Sequence, residues 1–181
     1  MFRNFETNHV LMEEIRNKIK ESGLISLDLA DFKPVESSIV GFDIADQLWQ
    51  GLVLKEKDFR NFIATHDWSI YAGKNVYVFC SADAIVPTWA YMLVCSKLAG
   101  VAAFSMAGSE LDLQKFLIQQ KIDVFDLSEY SEGKFIVKGC ADIRCPEFAM
   151  VALTLKLQTV AKSIMYGEPC STVPIYKAPK K

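Results

Sequence analysis

The sequence predicts a single α/β domain spanning residues 1–181, built on a mostly parallel or mixed sheet with flanking helices. Three observations predict it. Short runs of β-forming residues alternate with longer stretches of helical periodicity, the pattern of an α/β chain. Two of the predicted helices open on a proline, Pro87 and Pro146, after a strand and a polar loop. The composition, 51% hydrophobic and 23% charged, is that of a globular domain, and 181 residues bury roughly two thirds of the unfolded surface without a disulfide or metal staple.

Each element has its own signal. A helix is predicted over Asn8–Glu21, with Thr7 as N-cap and Leu11, Ile15 and Ile19 repeating on one face; Ser22-Gly23 stops it. Leu24–Leu29 and Ile39–Phe42 read as strands. Gln47–Leu54 is apolar and fits helix or strand equally. Lys55–Thr65 reads as a helix with Phe59, Phe62 and Ile63 inward. The run Asn75–Cys80 (NVYVFC) has the character of a strand covered on both faces. The loop Ser81–Val86 follows, then a helix from Pro87 to about Ala99, stopped by Gly100, then a strand over Val101–Ser105. This is a βαβ unit, which implies parallel strands.

The second half repeats the logic. Ser109 and Asp112 resemble a capping box for a helix to about Gln120. Phe135–Lys138 is a strand leading into Gly139-Cys140. Pro146 opens a helix predicted to reach Met165, its apolar face supplied by Phe148, Val151, Leu155 and Ile164. The segment Tyr166–Pro174 carries too many turn residues for a helix. Pro169 and Pro174 stiffen it, as in a docked segment rather than a frayed end. Residues 1–7 and 177–181 are expected to fray.

Charge excludes some functions. The 20 Lys and Arg residues against 22 Asp and Glu give a net charge of −2, with no basic stripe for nucleic acid. The tail cations Lys177, Lys180 and Lys181 read as a solvated end. The N-terminus lacks an apolar signal-peptide region, and the longest apolar stretch, near Trp89–Val94, is far short of the roughly 20 residues of a membrane span. The five cysteines Cys80, Cys95, Cys140, Cys145 and Cys170 are odd in number and scattered, which favours free thiols and a cytoplasmic location. The sequence has no G-x-S-x-G elbow, Walker loop or dinucleotide fingerprint.

The cysteines remain as the candidate chemistry. Ligands in open α/β sheets gather beyond the carboxyl ends of the strands, where Cys80 and Cys140 both fall. If their strands were neighbours, the two thiols would lie about 5 Å apart, close enough to share a metal. Asp83 offers a carboxylate from the loop after Cys80, and Cys170 a third thiol from the stiff tail. No C-x-x-C or H-x-x-H spacing supports this. Cys95, mid-helix, reads as a small hydrophobe, and Cys145 as a helix-start residue. His66 follows a helix, where it would bond the last carbonyls or serve as ligand or base; His9 reads as exposed.

Four segments carry a resemblance: Gly51–Arg60, Cys80–Tyr91, Lys138–Cys140 and Met165–Pro174. Together they resemble the domain of unknown function 2480 family, over nearly the whole chain from Glu14 to Lys177. The resemblance implies no assigned activity. Its motifs fall on Cys80, Asp83, Cys140 and Cys170, and it implies SUF-type iron–sulfur assembly proteins as genomic neighbours and expected partners.

The leading expectation is a metal- or iron–sulfur-related accessory protein, with Cys80, Cys140 and Cys170 as thiolates and Asp83 as fourth ligand or supporting group. Zn²⁺, Fe²⁺ or an exposed cluster would suit such a set. A thiol- or persulfide-transfer enzyme using one of these cysteines is the alternative. A third reading is an interaction module with purely structural cysteines. Nucleic acid and membrane are not expected partners; a homo-oligomer is compatible with the sequence.

Overall fold

The computed structural model describes residues 23–139, 142–168 and 171–180. The helix expected over Asn8–Glu21 lies outside them. The described chain is α/β, with two sheets where the sequence suggested one.

The first sheet is built from β2 (Ile39–Asp43), β3 (Asn75–Phe79) and β4 (Phe104–Ala107), in that spatial order and all parallel. Its helices are α1 (Glu56–Thr65) and α2 (Thr88–Leu98). Buried Val76 and Val78 of β3 meet Phe59 and Ile63 of α1 and Ala90, Val94 and Leu98 of α2 in one apolar cluster. Phe42, Phe62, Trp68 and Tyr71 gather their rings in the same cluster. All three tryptophans, Trp49, Trp68 and Trp89, belong to this unit, residues 34–117.

The second sheet has the order β1 (Leu24–Asp28), β5 (Gly133–Lys138), β6 (Ala161–Glu168), β7 (Ser171–Lys177). The first three strands are parallel and β7 returns antiparallel. Phe135, Val137 and Ile164 from this sheet are buried against Ala149, Leu153 and Leu157 of α4 (Pro146–Leu157). Ile118 and Ile122 of α3 (Glu110–Val124) join the same cluster. Of the described residues this unit holds those before 34 and those from 118 on, and α3 is divided between the two units after Leu117.

Three expectations are corrected. The helix from Pro146 stops at Leu157 instead of Met165, and Ala161–Glu168 is a strand. Ile164 therefore belongs to a strand, while Val151 and Leu155 of the expected apolar face are exposed. The strand after α2 starts at Phe104, because the N–H groups of Val101 and Ala102 both donate to the Leu98 carbonyl and close the helix. The helix with the Ser109–Asp112 box runs past Gln120 to Val124. The box itself forms: the Ser109 hydroxyl and N–H donate to Asp112, and the Asp112 N–H donates back to the Ser109 oxygen. Gln47–Leu54 is neither regular element; a turn closed by a Trp49–Val53 bridge occupies it.

Candidate functional site

Each sheet has a carboxyl edge that carries candidate chemistry. In the three-stranded sheet, β3 is central, and Cys80 is the first residue beyond it. The thiol is half-buried and donates to the Ala82 carbonyl at 3.6 Å. Beside it, Asp43 ends the neighbouring strand in register with Phe79. One Asp43 oxygen accepts the N–H groups of Ala45 at 2.9 Å and Ser81 at 3.0 Å, so the carboxylate fastens the Cys80 loop to β2. Burial would raise the Asp43 carboxyl, but hydrogen bonds from the Ser81 side chain and from the two N–H groups outweigh it and hold the pKa below the usual carboxylate value.

A cavity of about 450 Å³ opens here, lined by Cys80, Thr88 and Tyr91 among others. Burial raises the Tyr91 hydroxyl, and the nearby Cys80 and Asp43 raise it further. The phenol therefore stays protonated beside the thiol at neutral pH, as a hydrogen-bond donor.

The four-stranded sheet supplies the other edge. Parallel pairing sets Val137 of β5 beside Tyr166 of β6. One residue further along β5, Lys138 makes an ion pair with Glu168 at the end of β6, 3.2 Å apart. Gly139 follows on β5. A Cβ there would stand 2.5 Å from the Tyr166 ring and 2.7 Å from Met150, so only glycine lets these side chains lie down over the backbone. Beside them lies a cavity of about 600 Å³ between α4 and strands β6 and β7. In the sequence Cys140 follows Gly139 directly, and Cys170 comes two residues after Glu168.

The predicted site residues are therefore divided. Cys80 lies within the described chain at the expected place, and Asp83 is exposed in its loop. Cys140 and Cys170 lie outside the described residues. The strands before Cys80 and Cys140 belong to different sheets, so the neighbouring-strand argument for joining those two thiols does not hold. β5 and β6, the strands that precede Cys140 and Cys170 in the sequence, are paired in parallel. Among the described residues, no three His, Cys, Asp or Glu side chains come together as a metal set.

Cys145 is buried at the N-cap position of α4, and Cys95 is half-buried with its thiol pKa raised by burial. The His66 ring bonds no carbonyl among the described residues, contrary to expectation. It packs against Phe62 and Trp68 at 4.8 Å each, and its Nε2 is buried without a partner among the described residues. Tyr91, Asp43, Tyr166 and Glu168 escaped the sequence reading. Tyr91, Tyr166 and Glu168 fall within the segments that carry the family resemblance, which was the available signal.

The family profile for proteins of unknown function, DUF2480, matches residues 13–178. The chain belongs to the DUF2480 family. No curated protein and no solved structure matches it. Both sheet edges and both cavities fall within the DUF2480 match. No helix among the described residues is long and apolar enough to cross a membrane.

Proposed function

We propose that this DUF2480 protein is an accessory protein of metal or iron–sulfur metabolism, in which Cys140 and Cys170 supply thiolates at the carboxyl edge of the four-stranded sheet. One observation supports the reading: β5 and β6 pair in parallel and are tied at their ends by Lys138 and Glu168, and each cysteine follows one of those ends within two residues. Two thiolates leave open coordination positions on Zn²⁺, Fe²⁺ or a cluster, which suits acceptance and release better than permanent structural binding. Iron–sulfur assembly proteins are the partners this reading expects, in the cytoplasm.

The test is metal analysis and an absorption spectrum of protein purified anaerobically. Cys140→Ser and Cys170→Ser should each lose most of the bound metal, because serine does not ionise near neutral pH. Cys95→Ser should retain it. Equal metal in all three variants and the wild type overturns the reading. A thiol-transfer role for Cys80 is favoured by a different observation, its position in a cavity beside Thr88 and Tyr91. Fast alkylation of Cys80 in metal-free protein would select that role.

A further inference from the structure

The cavity between α4 and strands β6 and β7 has the features of a built site. Its volume, about 600 Å³, lies within the range of small-molecule pockets. It also reaches inward: Val137 and Ile164, which are 3% and 1% exposed, form part of its lining. A flat protein face would not reach these core residues, whereas a small molecule would. Around the mouth, Val151 and Leu155 of α4 stay 60% and 61% exposed, and Ile175 of β7 stands 51% exposed. Large apolar side chains left bare around one hollow mark a binding surface more often than a packing accident.

The lining also restricts the ligand. Among the described residues no Lys, Arg or His contributes to it, and the one carboxylate, Glu147, is exposed in the first turn of α4. An anionic ligand would meet that carboxylate with no cation among the described lining residues to balance it. Two hydroxyls line the hollow, those of Thr154 and Tyr166, and neither has a hydrogen-bond partner among the described residues. We propose that this cavity binds a drug-sized, uncharged molecule with an aliphatic or aromatic body and a polar group held by Thr154 and Tyr166. A side chain at Gly139 would push the tips of Tyr166 and Met150, which both line the hollow, out of their present positions.

The test uses the full chain and two probes of comparable size, neutral Nile red and anionic anilinonaphthalene sulfonate. Nile red should bind saturably at one site, and the anionic probe at least about tenfold more weakly. The double variant Val151→Gln/Leu155→Gln changes only exposed positions, so it should fold as the wild type by circular dichroism and bind Nile red about tenfold more weakly. Gly139→Ala should weaken binding as well without adding a polar group. Unsaturable binding, equal affinity for both probes, or unchanged affinity in the double variant overturns the proposal. So does a wild-type dimer that the double variant dissociates, which would make a second copy of the chain the occupant. No metal is read in this experiment, so its outcome is independent of the thiolate reading.

Discussion

Asp43 shows how one side chain holds a site loop in place. Its carboxylate accepts from Ala45 and from Ser81, 38 residues further along, and so caps the turn after β2 while fixing the start of the Cys80 loop. Asp43→Ala should cost about 1–2 kcal/mol, read from urea denaturation at neutral pH. The folded-state pKa lies below the ordinary aspartate value, so the contribution is present above that ordinary value and is lost as pH falls through the lower, folded one. Wild type and variant should therefore converge in stability in strong acid. A gap that stays constant down to that range would mean the carboxylate charge is not what the loop uses. The sequence placed Cys80 at a strand end correctly to within one residue, because a run of β-formers followed by Ser81 and Asp83 is a local signal. It did not single out Asp43 or Tyr91, because their meaning comes from neighbours distant in sequence.

At the scale of elements, local patterns carried most strands and helices but misplaced several boundaries, the end of α4 by the most. Residues Phe148–Met165 are rich in apolar residues and contain neither glycine nor proline, so no punctuation marks the end of α4. What ends it is a tight turn. Thr159 turns its hydroxyl back to the Lys156 carbonyl at 2.8 Å, the Val160 N–H donates to the Leu157 carbonyl, and from Ala161 the backbone pairs with β5. β7 was hidden differently, because Gly167, Pro169 and Pro174 all read as loop residues. In fact Gly167 has φ of +120°, within a hairpin where Glu168 pairs with Ser171, and Pro174 is tolerated on an edge strand. A methyl group at Gly167 would run into the Ser171 carbonyl. Gly167→Ala should therefore cost more than about 1 kcal/mol, measured by thermal or urea unfolding, and should speed hydrogen exchange along β6 and β7. An unchanged midpoint would show that the hairpin relaxes freely.

At the scale of the molecule, the α/β class was legible in the alternation of elements, but the division into two sheets was not. Periodicity tells that a segment is a strand, whereas its partner strand is chosen by packing far along the chain. The two apolar clusters make a testable statement about cooperativity. Leu153 is fully buried in one and Leu98 in the other, so truncating either to alanine should cost about 2–5 kcal/mol. Hydrogen exchange followed by mass spectrometry should show Leu153→Ala loosening β5 and β6 most, and Leu98→Ala loosening β2 to β4 most. Equal acceleration throughout the chain in both variants would mean that the clusters open as one.

The tryptophans give this division a practical consequence. Because Trp49, Trp68 and Trp89 all belong to residues 34–117, intrinsic emission is an optical label on one half of the chain, placed there by the fold. Trp68 stacks on Phe42 at 5.7 Å and Trp89 meets Phe59 at 5.9 Å, so melting of that cluster should change the colour and intensity of the emitted light. The half that carries Cys140, Cys170 and the larger cavity contains tyrosine but no tryptophan. A fluorescence melting curve would follow the Cys80 half, and a ligand titration at the other edge calls for an extrinsic dye or a tryptophan introduced on β7.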